Sequence, residues 1–351
     1  MTAEQKQKLL GTGVQAVLIT DPYNMRYLSG FRGGEGILYI SEKQNVLITD
    51  SRYTEAAGKE SDFTVIEENR DHKRSQILSE CISQDGIGVV GFEDLSMLYC
   101  EYASLKAALT MVDEWKPLGR AVKTLRAIKT EEELSYLRRA EEIGDIAFTK
   151  ILEVIRPGIT ELEIAAELEY QMKKVGAENL GFETIVASGI HSSMPHAIPD
   201  TKKVELGDFV TMDYGCKYQG YCSDMTRTIV VGKANEKQKE IYNTVLKAQV
   251  AAEEAIRSGI EGWTVDKVAR DIIGAAGYGE CFGHGLGHGV GLFIHEEPGF
   301  GKNILEPNIV ITVEPGIYVP GFGGVRIEDM GVVREDCFES FAHSPKELIE
   351  L

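Results

Sequence analysis

The stretch FGHGLGHGVGLFIHEEP, residues 282–298, limits what the rest of the chain can be. Gly283, Gly285, Gly287, Gly289 and Gly291 alternate with His284, Leu286, His288 and Val290, and each glycine would cost a helix interior roughly 1 kcal/mol relative to alanine. A helix is therefore excluded. In an extended chain alternate residues share a face, so His284 and His288 point the same way while the glycine side admits a second backbone or a ligand. Such a stretch suits the lining of a buried site. Standing alone it would read as a flexible glycine loop with scattered histidines, so its meaning depends on its companions.

With 351 residues, 43% hydrophobic and 26% charged, the chain has room for two domains with separate cores. No apolar run approaches the roughly 20 residues of a membrane span, and the opening MTAEQKQKLL reads as a polar helix start rather than an export signal. Six cysteines, at 81, 100, 216, 222, 281 and 337, show no CxxC spacing, as expected of reduced thiols in a cytoplasmic protein. A net charge of −18 repels nucleic acid and anionic membrane, and no basic stripe compensates, so neither is expected as a partner.

Along the chain, a helix to about Leu10, a strand at 16–20, a hairpin from GILYI (36–40) and NVLITD (45–50), and strands at 63–67 and 86–93 alternating with helices near 72–84 and 96–110 predict an α/β unit. It carries no phosphate-cradling glycine motif. The boundary is expected near Trp115–Lys129. Thr130 with Glu133 forms a capping box for one long helix, and Thr160 with Glu163 caps a second. A similar helix pair spans 235–257 and 263–276, and RPGITELEIA and RSGIEGWTVDKVA sit at corresponding turns. Either the second domain is an internal duplication, which would place a site at the seam of two halves, or these are two ordinary helix pairs.

Each helix pair is followed by strand-rich sequence bearing carboxylates. In DFVTMDYGCKYQGYCSDMTRTIVV a turn centred on Tyr218-Gln219 would oppose Asp213 to Asp224, although a bulge at Gly220 would slip the register by one. Like charges opposed across a hairpin destabilise it unless a cation lies between them. NIVITVEPGIYV puts Glu314 at the end of a buried strand, and GGVRIEDM puts Arg326 and Glu328 on one strand face with Asp329 on the other. Asp213, Asp224, Glu314 and Glu328 with one imidazole form a mainly oxygen donor set. That set suits a hard divalent ion such as manganese, or cobalt or iron, better than a structural zinc. Four negative charges balance two such ions, which at about 3.5–4 Å apart can ionise a shared water and polarise a carbonyl.

The segments YLSGF (27–31), TDSRY (49–53), DYGCKYQGYCSDMTRT, GHGLGHGVGLFIHEEP, VEPGIY and GGVRIED resemble the pita-bread metallopeptidases, specifically the Xaa-Pro peptidases, prolidase and aminopeptidase P, over nearly the whole chain. The resemblance implies an α/β (α+β) fold: a small creatinase-N-like α/β domain, residues 1–123, then a pita-bread (creatinase/aminopeptidase-like) domain, residues 124–351, with a pseudo-twofold internal repeat. It implies a dinuclear centre in which Asp213 chelates one metal, Asp224 and Glu328 bridge both, and His288 and Glu314 complete the other, with manganese expected first and cobalt, iron or zinc as alternatives. It implies further that His196 and His295 bracket the substrate and His284 lines the entry. Glu314 then shuttles a proton, Arg326 positions the carboxylates and Tyr318 hydrogen-bonds near the site. His191 matches no motif position and is expected at the surface.

By resemblance the substrate is a proline-containing di- or oligopeptide cleaved before proline by a metal-bridging hydroxide, and the protein is a homodimer. Competing assignments are a metal-free creatinase-like hydrolase, a methionine aminopeptidase, and a catalytically inactive binding module on the same fold. The full ligand set opposes the first and third, and the N-terminal domain opposes the second. Dipeptidase and aminopeptidase action stay open, because the choice rests on what closes the far side of the pocket.

Overall fold

The structure, a computed structural model, describes residues 1–351. The chain separates into two compact units, Met1–Arg126 and Ala127–Leu351.

The first unit is built on a six-stranded mixed sheet. Its strands are β1 (Ala16–Ile19), β2 (Ile37–Ser41), β3 (Asn45–Asp50), β4 (Thr64–Glu68), β5 (Val89–Phe92) and β6 (Glu114–Pro117), in the order β4-β3-β2-β1-β5-β6. The central hairpin is antiparallel and the outer strands add in parallel. Helices α1 (Ala3–Leu10), α2 (Pro22–Ser29), α3 (Thr54–Glu60), α4 (Arg74–Asp85), α5 (Tyr99–Ala108) and α6 (Ala121–Ala127) complete it. Successive residues of β1 serve opposite faces: Val17 and Ile19 join one core with Leu9, Met25 and Leu28, whereas Ala16 and Leu18 join another with Ile77 and Leu78. Both faces of the sheet are thereby covered, which explains the unbroken apolar run AVLI.

The second unit contains two similar halves. In the first, α7 (Glu131–Ile151) and α8 (Glu161–Lys174) start at full capping boxes from Thr130 and Thr160 and pack on β7 (Asn179–Leu180), β8 (Ile185–Ser188), β9 (Phe209–Tyr214), β10 (Cys216–Tyr218), β11 (Tyr221–Cys222) and β12 (Met225–Val230). In the second, α9 (Glu236–Ala255) and α10 (Gly262–Ala275) pack against β13 (Val310–Val313), β14 (Gly316–Val319), β15 (Gly323–Arg326), β16 (Asp329–Val333) and β17 (Phe338–Ser340).

The likeness extends to individual hydrogen bonds. Between α7 and α8, Gly158 N–H donates to Val204 O (2.8 Å) and Val204 N–H to Ile159 O (2.8 Å); between α9 and α10, Gly259 donates to Leu305 O (2.9 Å) and Leu305 to Ile260 O (2.9 Å). Glu161 and Gly262 then donate to Lys202 O and Asn303 O. Every residue of the second set follows its counterpart by one constant spacing, and Glu314 follows Asp213 by the same spacing. The internal repeat is thus present in the backbone, and it carries two of the carboxylates to equivalent strand ends.

Two local expectations are corrected. The hairpin turn is centred on Gln219-Gly220, both left-handed at φ 47° and 78°, as a two-residue type I′ turn requires. Tyr218 therefore faces Tyr221, and Asp213 faces Thr226 rather than Asp224. Moving the turn by one residue moves the pairing by two, so Asp224 keeps the face of Asp213 and lies diagonal to it. Secondly, GGVRIEDM is not one strand. Arg326 ends β15, paired with β14; Asp329 begins β16, paired with β13. Glu328 lies between them and is tied by its N–H to Thr226 O at 3.1 Å.

Candidate metal centre

The glycine-rich stretch runs irregularly along β13. Glu314 N–H donates to Leu286 O (2.8 Å), Thr312 N–H to His288 O (2.9 Å) and Val290 N–H to Val310 O (3.1 Å). A Cβ on Gly287 would collide with the Thr312 carbonyl, and one on Gly289 would come within 2.7 Å of Glu296 O. The glycines therefore permit close backbone approach, and His288 is set beside the strand end that bears Glu314.

Three elements converge there. Ligand atoms of Asp224, His288 and Glu328 lie within 4.8 Å of one another. His288 Nε2 is 3.4 Å from Asp224 Oδ2 and 3.5 Å from Glu314 Oε1. Asp213 enters from β9, its Oδ2 accepting from Arg326 Nη2 at 2.7 Å. Asp224 and Glu328 are buried, and burial, then the neighbouring carboxylates, pushes both well above the usual carboxyl range. Burial, with Asp213 adding to it and Arg326 opposing, raises Glu314 to about 8. Desolvation likewise holds His288 at about 4, so its imidazole is neutral and can serve as a ligand.

This arrangement fits divalent cations. Asp213 Oδ1 is buried and has no hydrogen-bond partner in the protein, a state that buried carboxylate oxygens avoid. In the absence of a cation, burial and mutual repulsion favour the protonated forms of Asp224, Glu314 and Glu328. Ions at this position would engage the orphaned oxygen and displace those protons.

The other expected site residues surround the carboxylates. Arg326 is buried. Besides Asp213 it donates from Nε to Thr226 Oγ1 (3.0 Å) and from Nη1 to Tyr318 OH (2.8 Å) and Pro195 O (3.2 Å). His284 Nε2 lies 2.9 Å from Tyr318 OH, and burial lowers this histidine to about 4. The His295 ring meets His288 edge-on at 4.5 Å between centroids. His196 and His295 are exposed at the rim, close enough that the His196 charge disfavours protonation of both His284 and His295.

Several supporting residues escaped the sequence reading. Thr226 Oγ1 donates to Glu328 Oε2 at 2.7 Å while accepting from Arg326, so it fixes both. Thr312 Oγ1 accepts from His288 N–H at 3.2 Å. Glu141, fully buried on α7, accepts the Asp224 N–H at 3.3 Å; its signal was a carboxylate standing on the apolar stripe of Leu134, Leu137 and Phe148. Arg227 is buried and donates to Glu328 O (2.5 Å) and Asp329 Oδ1 (2.6 Å). His191 is corrected: it is half-buried, with Nδ1 3.2 Å from both oxygens of Glu161.

Residues 4–128 match the Creatinase/Prolidase N-terminal domain, and residues 135–335 match Metallopeptidase family M24. The chain is 40% identical over 343 residues to an Xaa-Pro dipeptidase of Pyrococcus furiosus, covering 96% of this chain and 95% of that one. Among solved structures, the Xaa-Pro dipeptidase from Bacillus anthracis superposes with a TM-score of 0.95 at 43% identity, covering 99% of this chain and 98% of the other. The X-Pro aminopeptidase from Thermotoga maritima does so with 0.92 at 38%, covering 97% and 98%. No helix is long and apolar enough to cross a membrane. The matched domains, the relatives and the carboxylate–histidine cluster together place the chain in metallopeptidase family M24, among the pita-bread Xaa-Pro peptidases.

Proposed function

We propose that the chain is a dinuclear-metal exopeptidase that hydrolyses the peptide bond before proline. The observation that carries this reading is the convergence of Asp224, His288 and Glu328 within 4.8 Å, beside the orphaned oxygen of Asp213. Asp213 would hold one ion, Asp224 and Glu328 both, and His288 with Glu314 the other; manganese is the first choice for this donor set, with cobalt, iron or zinc as alternatives. When bound, such ions lower the pKa of a water and polarise the scissile carbonyl.

The protein's own groups supply the rest. Glu314, at the end of β13 beside His288, is the group that would accept a proton from the attacking water and return it to the departing proline nitrogen. That nitrogen belongs to a tertiary amide without N–H, so recognition rests on the carbonyl and termini. His196 and His295, both exposed, would donate hydrogen bonds to the substrate carbonyl as it gains negative charge. Arg326 holds Asp213 and Tyr318 in place, and Tyr318 in turn orients His284 at the entry.

The test uses chelator-treated protein with an Xaa-Pro dipeptide and an Xaa-Pro-Yaa tripeptide, with and without manganese or cobalt. Metal-dependent cleavage of the dipeptide alone identifies a dipeptidase, and cleavage of the tripeptide an aminopeptidase. Cleavage of neither by metal-loaded protein overturns the proposal.

A further inference from the structure

We propose that Glu161 is a positioning residue for His196, acting through segment 188–200; the catalytic part of this inference rests on the function proposed above. Glu161 is the first residue of α8 and its side chain is wholly buried. Its Oε1 accepts from Ser188 N–H (2.7 Å) and Ser188 Oγ (2.8 Å). Both oxygens lie 3.2 Å from His191 Nδ1, and Oε2 accepts from Asp200 N–H at 3.4 Å. One carboxylate thus gathers the start, middle and end of the segment that bears His196. Because an ionised carboxylate only accepts, the contact requires the His191 proton on Nδ1.

Two further features stabilise the anchor. The carboxylate occupies the first turn of α8, where the helix dipole favours negative charge. Lys202 Nζ, paired with Asp208 Oδ2 at 2.9 Å, donates to Ser188 Oγ at 2.7 Å and so helps to fix the serine that Glu161 engages. On its other side the segment is tied to the strand of Arg326: Ser192 Oγ accepts from Gly324 N–H (2.8 Å), and Pro195 O accepts from Arg326 Nη1 (3.2 Å). His196 is an exposed side chain on a backbone pinned from two directions. Glu161, His191 and Asp200 place potential ligand atoms close together, but N–H and O–H donors already engage both Glu161 oxygens, so the cluster is an anchor rather than a cation site.

The repeat isolates this device. The residue equivalent to Glu161 in the second half is Gly262, where a Cβ would come within 2.9 Å of Phe300 Cα. The shared turn therefore does not need a carboxylate, and Glu161 serves something particular to the first half.

The test compares Glu161→Ala, Glu161→Gln and His196→Ala in the full, metal-loaded chain. Glu161→Ala is expected to lower kcat/KM on the order of 10²-fold, the scale of a misplaced substrate contact, with metal content unchanged. Glu161→Gln keeps an acceptor for Ser188 but puts an amide against other donors, so it should recover part of the activity. Adding His196→Ala to either variant should cost little more, since one interaction is already lost. Hydrogen exchange at Ser188 and Asp200 should accelerate in both. Wild-type kcat/KM and exchange in Glu161→Gln, or losses that multiply fully with His196→Ala, overturn the proposal; the Gln variant decides it if the Ala variant does not fold. If the wild-type chain cleaves no Xaa-Pro peptide, the kinetic arm fails with the function. Exchange then decides the anchor: acceleration across 188–200 supports it and unchanged exchange overturns it.

Discussion

In the first half of the second unit, the turn between helices passes from Gly158 into Glu161, and side chains fasten the loop that follows. In the second half the same hydrogen bonds lead from Gly259 into Gly262, whose missing side chain lets the Phe300 backbone pack against it. The strands beyond end in Asp213 and Glu314 at equivalent places, yet the two carboxylates differ. Asp213 is paired with Arg326 at 2.7 Å. Glu314 has no such direct cation and faces His288 and His284 instead. A common frame has thus delivered two carboxylates to one centre, and the loops have given them different electrostatic surroundings. Equivalence of position does not carry equivalence of chemistry.

The sharpest test of that asymmetry is the pair Glu314→Gln and Asp213→Asn. Loss of a proton-transfer group costs roughly 10²–10⁴-fold in rate, so Glu314→Gln should fall at least that far in kcat even at saturating metal. Asp213→Asn should show its main defect as weaker metal retention, with activity partly recovered at high metal concentration. Metal analysis with kinetics separates the two. Equal loss of kcat in both variants at full metal occupancy would mean that the halves are chemically equivalent after all.

The pH dependence of the metal-free protein carries the same asymmetry. Glu314 rises from an ordinary 4.5 to about 8 on burial, so the folded protein retains a proton that the unfolded chain has released across that interval. The stability it contributes is fully present below 4.5 and is lost as pH rises through about 8. Metal held by these carboxylates would reverse the trend, because it takes their deprotonated forms and releases the protons. Denaturation of the chelated protein should therefore show stability declining over this window, less steeply in Glu314→Gln. Calorimetry in buffers of different ionisation enthalpy should show proton release on metal uptake. A flat profile for the chelated wild type would remove the electrostatic distinction drawn for Glu314.

A smaller effect is expected at Thr226, the point on the first half's strand where Arg326 and Glu328 meet. Removing its hydroxyl in Thr226→Val keeps the shape and leaves both partners short of a contact. Loss of a residue that orients a metal ligand costs about 10–100-fold in affinity or activity, and the same range applies here. Asp329 supplies the contrast. It neighbours Glu328 but is paired with Arg227 at 2.6 Å and Lys346 at 2.9 Å. Asp329→Asn should thus reduce stability more than kcat, and a loss of kcat as large as for Glu328→Gln would assign Asp329 to the centre.

What could be read in the sequence follows the range of the interaction that fixes it. The starts of α7 and α8 were legible because Thr130 with Glu133 and Thr160 with Glu163 lie three residues apart. Asp224, His288 and Glu328, which the fold brings together, were legible because each stands in a distinctive segment. The hairpin register was not, since Gln219 adopts a left-handed conformation that its residue type does not announce. His191 read as a surface residue because its partner Glu161 lies 30 positions away and reaches it only through the fold. Glu141 and Arg227 act by burial behind Asp224 and Glu328, and no spacing along the chain records what lies behind a strand.

The smallest effects test the frame itself. Gly262→Ala should destabilise the second unit by about 1–3 kcal/mol through overpacking, because the new methyl meets the backbone of Phe300. Gly158 and Gly259 have open space around the missing side chain and nearly equal left-handed conformations, φ 92° and 85°. For them only the backbone penalty applies, roughly 1–2 kcal/mol, and it should be the same in Gly158→Ala and Gly259→Ala. Equal shifts in denaturant midpoint would show that the two turns are energetic as well as geometric copies. Unequal shifts would mean that the loops, through Glu161 in one half and the Gly262 contact in the other, have already changed how much strain each turn can absorb.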